Sequence, residues 1–302
     1  MARPRVRIGP GDSWHPAGRR IVVPDLAGGT MRMHVVQRGA ASDEAGAAAT
    51  SELLLLHGFV QASWCWRDVI EPLARMRRVH AVCVPGFGWS DKPRVSYRLG
   101  DQAERLLAFL DTQGIARVDV AGCSLGGSLA LELAARAPER VRSLILVNPA
   151  GAGSYPMAWL ARMQHERLAP LLRLPGVPLG LRAGLVGAAY AQLPVDDRYM
   201  AHFMAPLRTD GAGEAALQVA RHFNADMQAL AARLDAIAAP ALVIRGGRDR
   251  VIPESVVRTI QRALPDARML RYAEAAHCPM EEDPLRFVSD VGDFLATLDR
   301  CA

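Results

Sequence analysis

Lysine is almost absent from this chain: Lys92 is its only lysine, although lysine and arginine together account for 36 of the 302 residues. The arginines are dispersed and form no basic stripe, so the net charge of +5 does not predict a nucleic-acid partner. No apolar run reaches the roughly 20 residues that a transmembrane helix needs. The first 25 residues also lack the apolar stretch of a secretory signal peptide. We therefore expect a cytoplasmic protein with no integral membrane segment.

Cysteine is also scarce, and its spacing suggests neither a metal site nor a redox motif. The five cysteines are scattered and none forms a C-x-x-C pair. An odd number of scattered thiols is typical of proteins from a reducing compartment. His165-Glu166 resembles the start of a zinc-protease motif, but Ala169 stands where the second histidine is needed. We expect no metal and no cofactor.

Short apolar runs alternate with amphipathic segments along most of the chain, and this alternation predicts an α/β fold. We expect a mostly parallel, doubly wound sheet, with an antiparallel edge from Ile21–Val23 and Met31–Gln37. The other predicted strands are Leu53–Leu56, Val79–Val84, Val118–Ala121, Ser143–Val147, Ala241–Arg245 and Met269–Tyr272. The predicted helices are Trp66–Arg75, Asp101–Gln113, Leu125–Ala137, Glu254–Leu264 and Leu285–Leu298.

The alternation breaks between residues 151 and 235, where prolines lie among helix-forming residues. We predict that residues 151–235 form a helical cap, or lid, inserted into a core made of residues 1–150 and 236–302. Arg173, Arg182 and the prolines interrupt its apolar middle, so it does not predict a membrane span. The cap is expected to pack over one end of the sheet, with or without lining a lipophilic pocket.

The pentapeptide Gly-Cys-Ser-Leu-Gly at residues 122–126 is the motif with the clearest chemical meaning. It joins a predicted strand to a predicted helix, which is the setting of a G-x-S-x-G nucleophile elbow. Glycines two positions either side of Ser124 permit the sharp turn, and the helix N-terminus favours developing negative charge there. A glycine-rich turn without chemistry is the alternative. Phosphate binding is disfavoured because neither a G-x-G-x-x-G nor a Walker pattern is complete.

With this elbow, the chain from about Leu53 to its end resembles the α/β-hydrolase family, whose triad order is Ser, then Asp or Glu, then His. The resemblance implies Ser124 as nucleophile and His277 as base, since no other histidine follows the predicted strand Ala241–Arg245. It implies Asp249 as the acid that orients the base, within Gly-Gly-Arg-Asp-Arg-Val-Ile-Pro at residues 246–253. The alternative for His277 is a surface loop histidine, and the alternative for Asp249 is a surface ion pair with a neighbouring arginine.

The resemblance also implies an oxyanion hole. The N–H of Leu125, the residue after the nucleophile, is one donor. The second is the N–H of Phe59, in a His-Gly-Phe sequence at residues 57–59 that resembles the family's His-Gly-x motif. His57 itself lies in the wrong place in the order to be the base, and is interpreted as bracing its loop.

Two cysteines depart from the patterns of related proteins. Cys83 stands where the family commonly has an aspartate, and Cys278 follows the base where carbon–carbon hydrolases often carry tryptophan. Because Cys123 and Cys278 flank the nucleophile and the base, a thiol-sensitive switch is one interpretation. Burial as small apolar side chains is the favoured one.

The predicted activity is hydrolysis of a small to medium, largely apolar ester or thioester. Apolar side chains in loops or in the cap are candidates for the substrate pocket, with core packing as their alternative: Trp64, Trp89, Tyr155, Trp159 and Met280. Three other functions stay open: a carbon–carbon or amide hydrolase, a thioesterase for an acidic carrier, and a binding protein with little turnover. The carrier would dock on arginines of the cap, namely Arg162, Arg167, Arg173 and Arg182.

Overall fold

The chain forms one eight-stranded sheet in a computed structural model that describes residues 18–26, 28–39, 51–153 and 184–301. The strand order is β1-β2-β4-β3-β5-β6-β7-β8. The strands are β1 (Gly18–Pro24), β2 (Thr30–Arg38), β3 (Glu52–Leu56), β4 (Arg78–Val82), β5 (Val118–Cys123), β6 (Val141–Val147), β7 (Ala241–Gly246) and β8 (Arg268–Tyr272). Strand β2 pairs antiparallel with β1 and β4, and every later pairing is parallel. The predicted sheet with an antiparallel edge is confirmed.

Helices cover both faces of the sheet. They are α1 (Ile70–Leu73), α2 (Leu99–Thr112), α3 (Leu125–Arg136), α4 (Asp197–Leu207), α5 (Ala212–Ala231), α6 (Glu254–Ala263), α7 (Pro279–Glu282) and α8 (Pro284–Cys301). Alternate strand residues point to opposite faces, so that Leu54 and Leu56 join one apolar core while Leu53 and Leu55 join the other. This two-sided burial explains why the central strands are apolar throughout rather than alternating.

The prediction of a continuous helix over Trp66–Arg75 is wrong. The segment instead forms a short 3₁₀ turn, Ser63–Trp66, followed by the single turn of α1. Pro72 explains the difference, because its ring nitrogen cannot donate a hydrogen bond and its ring crowds the preceding turn.

The part of the predicted cap that the structure describes is helical. Between β6 and β7 it contains a π-helical turn, Leu185–Ala189, and helices α4 and α5. Residues 154–183 lie outside the described part, and with them Tyr155, Trp159 and the four arginines of the predicted carrier surface. In the ranges that are described, no helix is both long enough and apolar enough to cross a bilayer.

Parallel pairing brings the carboxyl ends of β3, β5, β6 and β7 to one edge of the sheet. The loops after these strands carry the sequence motifs: His57 to Phe59 after β3, Ser124 after β5, and Asp249 after β7. His277 lies in the loop after β8, the next strand along this edge. Residues far apart in the chain are therefore neighbours in space, as expected at such an edge.

Candidate active site

Ser124 occupies a strained turn between β5 and α3. Its backbone has φ 55° and ψ −116°, a conformation that L-residues rarely adopt. Backbone hydrogen bonds hold the turn on β6: Ser124 N–H donates to the Val147 carbonyl at 3.0 Å, and Ala150 N–H donates to the Ser124 carbonyl at 3.2 Å. The side chain is 8% exposed at the carboxyl edge of the sheet. The predicted strand–turn–helix setting of the serine is confirmed.

The turn is possible only because the glycines around it let backbones meet. A Cβ on Gly122 would lie 2.1 Å from the Gly126 carbonyl oxygen, and a Cβ on Gly126 would lie 2.1 Å from that of Leu56. The second contact presses α3 against the end of β3. As a result the loop after β3 lies beside the serine: a Cβ built on Gly58 would be 3.4 Å from the Cβ of Ser124.

Asp249 and His277 form a buried hydrogen-bonded pair. The imidazole Nδ1 lies 3.1 Å from Oδ2 of Asp249, whose Oδ1 accepts the N–H groups of Val251 at 2.7 Å and Ile252 at 3.2 Å. Burial acts to raise the pKa of Asp249, but the imidazole, the Val251 amide and the Arg245 cation outweigh it and hold that pKa below its ordinary value. An ionised Asp249 accepts the Nδ1 proton of His277, which leaves Nε2 free to take a proton.

The serine and the histidine occupy the same edge without a direct hydrogen bond. Within the described residues, the Ser124 hydroxyl makes no hydrogen bond to the imidazole of His277. Indirect links connect the two loops, since the Cys123 thiol lies 3.7 Å from the His277 carbonyl oxygen. Contacts between nucleophile and base often tighten only when substrate binds.

Two backbone N–H groups beside Ser124 are available as donors. In the part of the chain that is described, neither the Leu125 amide nor the Phe59 amide donates a hydrogen bond. Leu125 begins α3, so its N–H is one of the four that a helix leaves unpaired. The neighbouring Gly58 N–H is already taken, because it donates to Gln61 Oε1 at 2.9 Å.

His57 braces two loops. Its Nδ1–H donates to the Gly58 carbonyl at 2.8 Å, while its Nε2 accepts the Val84 N–H at 3.0 Å. Burial lowers the pKa of His57 to about 4, although the bond to Gly58 acts in the opposite direction. A neutral imidazole with both nitrogens occupied cannot serve as the base. This geometry agrees with the bracing interpretation of His57.

The sequence did not indicate Asn148 or Arg245, although Asn148 contacts the loop of His277 and Arg245 contacts Asp249. Asn148 Nδ2 donates to the carbonyls of Ala276 and His277, both at 3.0 Å. Arg245 Nη1 donates to Asp249 Oδ2 at 2.7 Å and to Asn148 Oδ1 at 2.8 Å. The available signal was a polar residue directly after β6 and a charge inside the apolar run of β7.

A second buried polar group, also missed, joins the loop after β3 to the segment between β6 and β7. Gln61 Nε2 lies 3.5 Å from the Tyr190 hydroxyl, which donates to Glu281 Oε2 at 2.6 Å. Arg67 pairs with Glu281, and Tyr199 bonds to Tyr190. Burial raises the pKa of Glu281, while Arg67 and Tyr190 oppose that change. The group anchors the described end of the predicted cap beside the candidate site.

The described pocket candidates lie in different surroundings. Trp64 stacks on His202, with ring centroids 4.7 Å apart, and lines a small cavity together with Gln61 and Tyr199. Trp89 is 5% exposed and Met280 is 0% exposed, so neither presents surface to a substrate in this conformation. Their positions match the core-packing alternative.

Cys123 and Cys278, which lie next to Ser124 and His277 in the chain, are both buried. The pKa of Cys278 lies well above its ordinary value because a hydrogen bond with Cys123 and burial both favour the thiol. The bond to Cys278 acts to lower the pKa of Cys123, but burial together with the charges of Cys65, Glu281 and Asp249 outweighs it, so that pKa is raised as well. Neutral buried thiols react slowly with oxidants, which favours the packing interpretation over a switch.

Cys83 lies in a polar setting despite complete burial. Its Sγ is 3.2 Å from Ser63 Oγ, 3.4 Å from Ser63 N and 3.5 Å from His34 Nδ1. Burial acts to raise the pKa of the thiol, but these groups outweigh it and lower that pKa to about 7. The sulfur thus accepts the kind of hydrogen bonds that a carboxylate would accept at this place.

Comparison with known proteins supports a single family. A family model described as alpha/beta hydrolase fold matches residues 53–284. The chain is 30% identical over 272 residues to 2-hydroxymuconate semialdehyde hydrolase of Pseudomonas sp. (strain CF600), covering 83% of this chain and 88% of that protein. It is 28% identical over 247 residues to pimeloyl-[acyl-carrier protein] methyl ester esterase of Nitrosomonas europaea, covering 79% of this chain and 93% of that protein.

Solved structures agree. The crystal structure of a hydrolase from Pseudomonas aeruginosa PA01 matches with a TM-score of 0.75 at 28% identity, covering 92% of this chain and 99% of that one.

Across the described ranges, no group of three or more His, Cys, Asp or Glu side chains is arranged to hold a metal ion.

We predict that Gly126→Ala slows the reaction of Ser124 with a fluorophosphonate by about 10²-fold, because a Cβ facing the Leu56 carbonyl forces the two candidate oxyanion donors apart. Labelling rates followed by intact mass measure the effect. Gly213→Ala, at a helical site with nothing within 4 Å, is the matched control and should label at the wild-type rate. A Gly126→Ala protein that labels as fast as the control contradicts this account of the turn.

We predict that the stability of the wild type relative to Cys83→Ser increases by about 1–2 kcal/mol between pH 7 and pH 9. The folded-state pKa of Cys83, about 7, lies below the ordinary value of 9.0, so its stabilising contribution is present above pH 9 and is lost as the pH falls through 7. Urea unfolding of both proteins at several pH values measures the difference. A difference independent of pH would mean that the sulfur stays a neutral thiol.

Proposed function

This chain belongs to the α/β-hydrolase fold family, and on that premise we propose that it is a serine hydrolase with Ser124 as nucleophile. His277 is its general base and acid, and Asp249 orients that base. The observation that carries the proposal is the buried Asp249–His277 hydrogen bond at the sheet edge where the strained Ser124 turn lies. One relative reported above is named a hydrolase and the other a methyl ester esterase, which supports the reaction class.

The geometry suggests acyl transfer to water in two steps. Ser124 Oγ attacks the substrate carbonyl carbon while its proton passes to His277 Nε2. The N–H groups of Phe59 and Leu125 hold the oxyanion of the tetrahedral intermediate. The leaving oxygen or sulfur then departs with the proton of the imidazolium. Water attacks the acyl-enzyme, losing a proton to Nε2, and the acid leaves as Ser124 regains its proton.

We propose a small to medium, largely apolar ester or thioester as substrate, with residues 151–235 as the cap over the site. Apolar surroundings support this class: Leu125, Phe59 and Val60 all pack against the core next to the serine. The Nitrosomonas relative is named for a methyl ester on an acyl-carrier protein, so an acyl group delivered by an acidic carrier is one form of such a substrate.

A carbon–carbon hydrolase is the second candidate, favoured by the 30% identity to 2-hydroxymuconate semialdehyde hydrolase. It would use the same three residues. The two candidates differ in which bond to the substrate carbonyl breaks.

We predict that Ser124→Ala and His277→Ala each lower the turnover of activated esters by about 10⁶-fold, and that Asp249→Asn lowers it by about 10⁴-fold. A series of p-nitrophenyl esters of increasing chain length measures turnover, and fluorophosphonate labelling identifies the nucleophile. Ser255→Ala, at an exposed serine of α6, is the matched control and should retain both turnover and labelling. Labelling of Ser124→Ala at the wild-type level would show that the nucleophile is another residue.

We predict that esters are turned over at least 100-fold more efficiently than a vinylogous diketo acid of the ring-cleavage type, because Cys278 replaces the tryptophan that often follows the base in carbon–carbon hydrolases. The ratio of kcat/KM values measures this preference. The reverse preference, with both carbon–carbon cleavage products identified by mass, would establish the second candidate instead.

A further inference from the structure

Arg245 is a buried cation in direct contact with the proposed catalytic acid. It lies near the end of β7 and is 4% exposed. Its Nη1 donates to Asp249 Oδ2 at 2.7 Å, and its Nη2 donates to the Asp249 carbonyl at 3.2 Å. The same Oδ2 accepts the Nδ1 proton of His277 at 3.1 Å. One carboxylate oxygen therefore serves both a permanent cation and the proposed base.

We propose that Arg245 is a positioning residue of the acid–base pair, which fixes the Asp249 carboxylate and sets the charge that His277 faces. This role rests on the function proposed above, because it takes His277 to be the base. Arg245 does not touch the reacting atoms: it acts by holding the Asp249 carboxylate and through its charge close to the imidazole.

The positioning part follows from the hydrogen bonds. Two backbone amides hold Oδ1 of Asp249, and Arg245 holds Oδ2, so the carboxylate cannot rotate. Arg245 Nη1 also donates to Asn148 Oδ1, and Asn148 in turn holds the carbonyl of His277. The proposed acid and the loop of the proposed base are thus both held by residues at the ends of β6 and β7.

The electrostatic part follows from the shared oxygen. Because Arg245 Nη1 and His277 Nδ1 both bond Oδ2, the guanidinium lies within about 6 Å of the imidazole. In a buried site the guanidinium cation offsets much of the carboxylate charge that the imidazole faces. Removing the cation exposes His277 to the full carboxylate charge and extends its protonated form to higher pH.

Other charged or titratable groups approach the pair from each neighbouring element, but have partners of their own. Cys123 at the end of β5 interacts with Asp249, while Tyr190 and Glu281 interact with Cys278 beside His277. Glu281 pairs with Arg67, Glu282 accepts the Ala276 N–H at 2.8 Å, and Arg250 donates to the Gly187 carbonyl at 3.4 Å. Among the residues described, Arg245 is the arginine that bonds the Asp249 side chain.

The test is Arg245→Gln, which keeps amide donors near Asp249 but removes the charge. The acidic limb of kcat/KM for an activated ester should move to higher pH by about one unit, with the high-pH plateau within tenfold of wild type. Arg245→Lys, which restores a cation, should return the limb close to its wild-type position. An arginine with only a structural role would change stability and the plateau without moving the limb.

Arg248→Gln is the matched control, since it removes the same charge from the same loop at a side chain that is 54% exposed and paired with Glu274. The acidic limb of its kcat/KM profile should stay at the wild-type pH. If Arg245→Gln also leaves the limb in place, or if Arg248→Gln moves it equally, the proposed role is wrong.

A direct titration separates this role from the proposed function. The imidazole ¹⁵N resonances of His277, assigned with His277→Gln, report its protonation without any substrate. The midpoint of the His277 titration should rise in Arg245→Gln even if the protein hydrolyses no ester. Failure of the proposed function would instead be seen as full esterase activity in Ser124→Ala. Should Arg245→Gln not fold, it is made in an Asp249→Asn background, where no carboxylate is left unpaired. There too the midpoint should rise, and an unchanged midpoint contradicts the proposal.

Discussion

The close approach of the α3 N-terminus to the end of β3 is the contact on which the rest of the site depends. Gly126 meets the Leu56 carbonyl so closely that no side chain fits between them. This contact places the loop after β3 beside Ser124, where a Cβ built on Gly58 would be 3.4 Å from the Cβ of the serine. The helix start supplies an unpaired N–H and a positive dipole end, and β3 supplies a loop whose His57 is locked at both nitrogens.

Charge neutralisation is the second constraint, since the site lies at a largely buried edge of the sheet. Two carboxylates are buried there, Asp249 and Glu281, and each has its own arginine. A buried carboxylate without a partner would be costly, and would become protonated instead. Pairing keeps Asp249 ionised, which its proposed role requires. Glu281 instead bonds two tyrosines and so anchors the end of the predicted cap.

Sequence reasoning succeeded where a feature depends on a short segment. The Ser124 turn was predicted because strand, glycines and helix are contiguous, and the central strands because burial on both faces makes them uniformly apolar. The predicted helix over Trp66–Arg75 is wrong because Pro72 interrupts the backbone hydrogen bonds that a continuous helix needs. The pocket candidates were not distinguishable from core residues, because an apolar side chain in a loop has the same pattern whether it faces a substrate or the core.

By itself, the sequence determined the α/β order of elements, the strained serine turn and the positions of an acid and a histidine in the family's order. Tertiary structure alone decided which distant residues connect the loops of Asp249 and His277. Asn148 and Arg245 are 97 residues apart, yet they share a hydrogen bond because β6 and β7 are neighbours in parallel register. Such contacts depend on strand order and on the direction of each side chain, and no local pattern encodes either. Ser124 is thus a turn that the sequence specifies, within surroundings that only the folded sheet assembles.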